Sequence, residues 1–271
     1  MQQGRFQAEV GRLGSLLSSG NAAAVVIRKF RTRIQAARCD YKLAVVLDRI
    51  AAADLEDLRR VHFVEALIQQ IGLVNDKRNI YGNDELYMNN IPRGLWQIPR
   101  QLAKLAVFLS SRKIESFLEI GTYTGHTFAF LMAYLVRFNP TLFGITMDLY
   151  KHNPVEHLLR GRFKAQFTIG RNQHFATRRF DFCFIDGDHS FDAVSADFNI
   201  VGRNSKICAF HDINDAIVEG WPGNDGGVPR FWQQLKTNHT DWDFCEFTCH
   251  SRGDRVMGIG VAVSKRQHVS R

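Results

Sequence analysis

Residues 116–138, SFLEIGTYTGHTFAFLMAYLVRF, decide the fold. SFLEIG is a short apolar run that stops at a glycine. From Gly125 the chain passes into the long apolar pattern of a helix. The same change recurs downstream. Strand TLFGITMD (141–148) precedes helix NPVEHLLRG (153–161), and strand FKAQFTIG (163–170) precedes a short helix near RNQHFATRR (171–179). Strand FDFCFID (180–186) leads to helix FDAVSADFNIV (191–201), and strand SKICAF (205–210) to helix GVPRFWQQLK (227–236). WDFCEFTC (242–249) and RVMGIGVAVS (255–264) are strands with no helix between them, a hairpin joined by SRGD (251–254). Repeated strand–helix units require right-handed crossovers. The pattern predicts a doubly wound, Rossmann-like α/β domain, its sheet mostly parallel and closed by an antiparallel hairpin.

Upstream the pattern differs. Residues 1–74 read as helical, with Val26, Phe30 and Ile34 on one face and Leu58, Val61, Val64 and Ile68 on another. Gly72 is a C-terminal stop. The segment reads as a helical cap or an oligomerisation element, and its apolar stripes allow a homo-oligomer. NDKRNIYGNDELYMNNIPRG (75–94) is a polar linker or lid in which Tyr81, Tyr87 and Met88 are candidate ligand contacts. Pro99 is placed to open a helix with Leu102, Leu105 and Leu109 turned inward. The chain therefore divides into a helical segment with linker or lid, 1–94, and an α/β domain, 95–271.

Composition bounds the function. Of 271 residues, 45% are hydrophobic and 23% charged, the balance of a globular protein. No apolar run approaches a membrane span, and the N-terminus lacks the pattern of a secretory signal, so a cytoplasmic location is the expectation. Five cysteines form no CxxC pair, which argues against a zinc knuckle or a disulfide framework. Cys183 and Cys208 lie inside strand-like runs, as small hydrophobes. The formal charge of +8 would suit nucleic acid, an anionic membrane or an acidic substrate. Its densest cluster, RKFRTR at 28–33, also reads as an ordinary solvated helix face.

Ligands of open α/β sheets collect at the carboxyl ends of the strands. There the first strand carries Glu119, then Gly121 and Gly125 in a G-x-x-x-G loop whose glycines permit a sharp turn and close approach of a ligand. An acid at that position suits a cationic group such as an amino acid's ammonium, not a phosphate. Asp148 ends the second strand, where a carboxylate can accept hydrogen bonds from both hydroxyls of a ribose. Read alone, each motif is also compatible with an ordinary tight turn.

LEIGTYTG, ITMD, FDFCFIDGDHS and ICAFHDI together resemble the class I S-adenosylmethionine-dependent methyltransferases. The resemblance is to a small-molecule branch that includes macrolide-sugar O-methyltransferases and relatives of cephalosporin-biosynthesis proteins, and it covers about residues 95–263. It implies a seven-stranded sheet with a reversed final strand. It also implies cofactor contacts from Glu119, Gly121, Thr122 and Gly125, with Asp148 on the ribose and Asp186 at the edge of the same site.

Methyl transfer from a sulfonium is an in-line displacement, so the protein must mainly align the acceptor and make it nucleophilic. A divalent cation lowers a hydroxyl's pKa, and a histidine accepts the proton near neutral pH. Asp186 ends the fourth strand, and His211 and Asp212 end the fifth, its expected neighbour. In the metal-dependent members these positions carry the ligands and the equivalent of His189 serves as base. The resemblance thus implies Asp186, His211 and Asp212 as ligands and His189 as general base. His211 departs from the usual acid or amide. Magnesium prefers an all-oxygen shell, so histidine favours manganese, iron or zinc; alternatively His211 contacts substrate and no metal binds. Asp188 or Ser190 is a candidate cap for the following helix. Trp221 and Trp232 are candidates for the acceptor pocket or for the core.

These readings predict a methyltransferase that O-methylates a small polar metabolite, a sugar or natural product. One competing reading is an RNA methyltransferase holding phosphates on its basic N-terminal region, disfavoured because the acid cluster would repel a phosphate backbone. The other is a non-catalytic cofactor-binding scaffold, which would have no use for Asp186 and His189.

Overall fold

The computed structural model describes residues 37–71, 94–150, 155–214, 226–248 and 257–266. The readings placed on Val26, Phe30 and Ile34, on the basic cluster 28–33, on Gly72, on Tyr81, Tyr87 and Met88, and on Trp221 fall outside these ranges.

Helix α1 (37–52), a single turn at Leu55–Leu58 and helix α2 (Val61–Ile71) precede the sheet. Helix α3 (Pro99–Ser110) follows, with Pro99 in its first turn, where the missing N–H costs nothing. Leu102, Leu105 and Leu109 are buried as the spacing required. Then come β1 (Ser116–Ile120), α4 (His126–Val136), β2 (Phe143–Asp148), β3 (Lys164–Ile169) and β4 (Phe182–Ile185). Helix α5 (Phe191–Ile200), β5 (Ile207–His211), α6 (Gly227–Asn238), β6 (Trp242–Phe247) and β7 (Ile259–Ser264) complete the order. The expected helices at 153–161 and 171–179 are single turns, Glu156–Leu159 and a 3₁₀ turn at Asn172–Phe175.

The seven strands run in the order β3-β2-β1-β4-β5-β7-β6. The first five pair in parallel, while β7 is antiparallel to both β5 and β6. Strand order reverses between β1 and β4, which sets the ligand edge at their carboxyl ends.

Side chains alternate between two apolar layers, as the twofold strand period dictates. Phe117, Phe182 and Phe184 enter one layer, together with α3, α4 and the apolar residues of 37–71, among them Leu43, Leu47, Leu58 and Leu67. Leu118, Cys183, Ile185 and Phe210 enter the other, under α5 and α6. Helix α4 is buried almost all round because it lies between the sheet and the N-terminal helices, which explains its lack of a polar face. Tyr134 spends its hydroxyl on that contact, donating to the Leu58 carbonyl at 2.6 Å. Trp232 is a core residue whose indole N–H donates to Glu246 at 2.7 Å.

Candidate functional site

The loop between β1 and α4 carries three left-handed residues, Gly121 (φ 98°), Tyr123 (φ 44°) and Gly125 (φ 77°). Gly121 has a reason beyond the turn. A Cβ there would sit 1.9 Å from the Asp186 carbonyl oxygen, because β1 and β4 end in close backbone contact. The Asp186 N–H donates to the Ile120 carbonyl at 2.8 Å across that contact. Tyr123 has no such licence; a non-glycine residue in this region costs roughly 1–3 kcal/mol and persists only when neighbours fix it. One of them is Asp148, whose Oδ2 accepts from the Tyr123 N–H at 2.8 Å while Oδ1 accepts from the Tyr150 N–H at 3.0 Å.

Behind the loop lies a buried polar relay. Thr146 on β2 donates to Glu119 Oε2 at 2.6 Å and lies 2.7 Å from the Thr122 hydroxyl. The Thr122 hydroxyl is thus used inside the protein. Burial pushes the Glu119 carboxyl well above its ordinary pKa despite the Thr146 donor, and the negative charges of Asp186 and Asp148 add to the rise. Its Oε1 is buried without a hydrogen bond. A cationic ligand group beside it would reverse that balance.

The second cluster gathers at the ends of β4 and β5, which pair directly, Ile185 opposite Phe210. Asp186 Oδ1 lies 2.9 Å from His211 Nδ1 and 3.8 Å from His189 Nε2. Asp212 lies on the far side, with Oδ2 3.5 Å from His189 Nδ1 and Oδ1 3.5 Å from His211 Nδ1. Its backbone is left-handed at φ 59°, a region that Asp tolerates better than most residues. Burial works against charge on Asp186, but His211 and His189 hold its pKa below the usual value. Burial also works against charge on His211, yet Asp186 and Asp212 push it up to about 9. His189 is raised as well: Asp186 and Asp212 outweigh its burial.

Despite these short approaches, both ring nitrogens of His211 and Oδ1 of Asp212 are buried without a hydrogen bond. The ion-pair distances are right but the angles are not. Buried polar groups are rarely left this way, and a bound ligand or ion is a standard reason when they are. Asp186, His189 and His211 each offer a ligand atom, all within 4.8 Å of one another. One carboxylate and two imidazoles suit manganese, iron or zinc better than magnesium. Asp212, expected as a ligand with Asp186 and His211, stands beside this set at the same edge.

Gln97, which the sequence did not single out, is part of the cluster. It is 1% exposed, just ahead of α3, and its amide N–H donates to Asp186 Oδ2 at 2.7 Å. That leaves Oδ1 for the histidines. Its own Oε1 is buried and without a hydrogen bond. Neither local pattern nor residue type could have marked a contact across 89 positions. Trp96, next to it, meets Tyr123 edge-on at 6.4 Å between ring centroids, joining this segment to the glycine loop. Of the two cap candidates, Ser190 is the one used: its hydroxyl accepts from the Ala193 N–H at 3.3 Å. Asp188 braces the preceding turn by accepting from the Ser190 N–H at 2.9 Å.

Against known proteins, residues 118–213 match a family model described as a methyltransferase domain. Among solved structures, the chain is similar to the O-methyltransferase TomG of Streptomyces achromogenes, involved in tomaymycin synthesis and seen in complex with S-adenosylmethionine. The identity is 18%, over 67% of this chain and 86% of that one, with a TM-score of 0.51. It is similar also to an O-methyltransferase from Bacillus cereus in complex with S-adenosylhomocysteine, at 18% identity over 76% of this chain and 100% of that one, TM-score 0.52. No curated protein sequence matches it. Residues 118–213 thus match a methyltransferase domain, and the solved structures share the fold of this chain. No helix among the described residues is long and apolar enough to cross a membrane.

Proposed function

We propose that the protein transfers a methyl group from S-adenosylmethionine to a hydroxyl of a small polar metabolite, a sugar or natural product. Residues 95–271 form the catalytic domain, and 1–94 a helical segment with linker or lid ahead of it. The observation that carries the reading is the set of buried, incompletely bonded groups at adjoining strand ends: Glu119 at β1, and His211 and Asp212 at the end of β5, beside Asp186.

On this reading Asp148 accepts the ribose hydroxyls, and Gly121, Thr122 and Gly125 shape the backbone that the nucleoside lies against. Glu119 faces the ammonium end, where a positive charge would favour its ionised form against the burial that disfavours it. Asp212 beside Nδ1 and Asp186 beside Nε2 hold the His189 ring between two carboxylates, and the ring accepts the proton of the acceptor hydroxyl. Asp186 orients the ring from its other side, itself held by Gln97.

Asp186 and His211, with Asp212 or His189, would hold a divalent cation, and the unbonded nitrogens of His211 fit that use. Such an ion, when bound, would lower the pKa of the acceptor hydroxyl.

The test is transfer of tritium from methyl-labelled S-adenosylmethionine to a panel of hydroxylated sugars and glycosylated natural products. Label on an acceptor oxygen supports the reading. Label found only on RNA, or none on any acceptor, contradicts it. Full activity after EDTA treatment would remove the cation and leave the rest standing.

A further inference from the structure

The N-terminal helix reaches the glycine loop through one buried side chain. His126 opens α4 directly after Gly125, and its ring is fully buried. Nδ1 lies 3.0 Å from the Thr124 hydroxyl, and Nε2 lies 3.2 Å from Asp40 Oδ1 on α1. That approach is an ion-pair distance without hydrogen-bond geometry at Nε2; the carboxylate's negative charge beside Nε2 still favours the imidazole proton there. Nδ1 is then an acceptor, and the Thr124 hydroxyl donates to it. The Thr124 carbonyl is occupied in turn, accepting from the Val155 N–H at 3.0 Å.

This brace acts on a loop that is not relaxed. Tyr123 is left-handed between two left-handed glycines, and such a backbone holds its shape only when its surroundings over-determine it. Asp148 fixes the loop from β2. Asp40, His126 and Thr124 fix it from the opposite side, out of a helix that lies ahead of residues 118–213.

We infer that Asp40 and His126 are positioning residues for the cofactor loop, acting through Thr124, so that α1 is required for nucleoside affinity. The inference rests on the proposed reading of the loop as the cofactor's.

Isothermal titration of the full chain with S-adenosylhomocysteine tests it. The set is wild type, Asp40→Ala, Asp40→Asn and Asp48→Ala, a control on the same helix whose partner is Arg162. Asp40→Ala should bind about tenfold more weakly, through loss of the charge beside Nε2. Asp40→Asn removes the same charge at nearly the same size and should weaken binding as Asp40→Ala does. Asp48→Ala should bind as wild type does. The ¹⁵N spectrum of the His126 ring should place its proton on Nε2 in wild type and show a mixture of the Nδ1–H and Nε2–H tautomers in Asp40→Ala.

Equal affinity of wild type and Asp40→Ala overturns the inference alone. So does equal weakening by Asp40→Ala and Asp48→Ala, which would mean a general loosening of α1. Should Asp40→Ala not fold, the wild-type spectrum still decides: a proton on Nδ1 contradicts the brace. A wild type that binds no S-adenosylhomocysteine removes the cofactor reading together with this inference.

Discussion

The two ends of the ligand edge are built differently. At β1 and β2 most polar groups are used internally, Oε1 of Glu119 excepted: Thr122, Thr146 and Glu119 form a relay, and both oxygens of Asp148 hold backbone amides. At β4 and β5 the charges are closer together and less satisfied. His211 and Asp212 are 3% exposed, yet His211 makes no hydrogen bond through either nitrogen. A closed network fixes a shape that a cofactor can be held against. An unsatisfied one keeps its donors and acceptors for something that arrives. On the proposed reading the first end holds the cofactor and the second handles the proton.

The sharpest way to break that division is His189→Ala. Removing a general base should lower turnover by roughly 10²–10⁴-fold while affinity for S-adenosylhomocysteine stays as in wild type. Unchanged turnover, or affinity lost in parallel, would merge the two ends into one role.

Gly121→Ala joins them from the structural side. Its methyl group would meet the Asp186 carbonyl oxygen at 1.9 Å in a backbone region that alanine avoids. The strand ends must separate, and we expect a loss on the order of 3 kcal/mol in urea unfolding. A loss below about 1 kcal/mol would mean that the ends are not pinned together.

The smallest effect comes from a buried carboxylate outside both ends. Asp197 on α5 accepts from the Asn172 amide at 2.7 Å. Burial, reinforced by the charge of Asp188 and opposed by Asn172, raises its pKa from 3.8 to about 6. The folded state therefore binds the proton more tightly than the unfolded chain does. Stability from this site is full below about pH 4, falls as pH rises toward about 6, and stays reduced above it. Asp197→Asn should raise stability at pH 8 by about 1–3 kcal/mol, change it little at pH 4, and leave turnover alone. A turnover loss would mean that Asp197 belongs with the β4 end.

What the sequence revealed follows from what is local. Strand ends are marked by where apolar runs stop, so Glu119, Asp148, Asp186 and His211 could be placed on one edge before any coordinates. The reversed β7 was legible because 242–264 holds two strands and no helix. What escaped depends on distant parts of the chain meeting. Gln97 reaches Asp186 only once α3 is docked, and Asp40 reaches His126 only once α1 packs over α4. Gly121 was legible as a turn glycine, but not as the residue that lets two strand ends touch. For Asp188 and Ser190, type and position allow either to cap, and only the backbone angles of the turn choose between them.

The most direct test of the central claim is a crystal structure with S-adenosylhomocysteine and manganese. The account predicts ribose hydroxyls on Asp148, the amino end of the cofactor near Glu119, and its sulfur turned toward the side where Asp186, His189 and His211 converge. A nucleoside bound elsewhere, or bound with its sulfur turned away from that cluster, would contradict it.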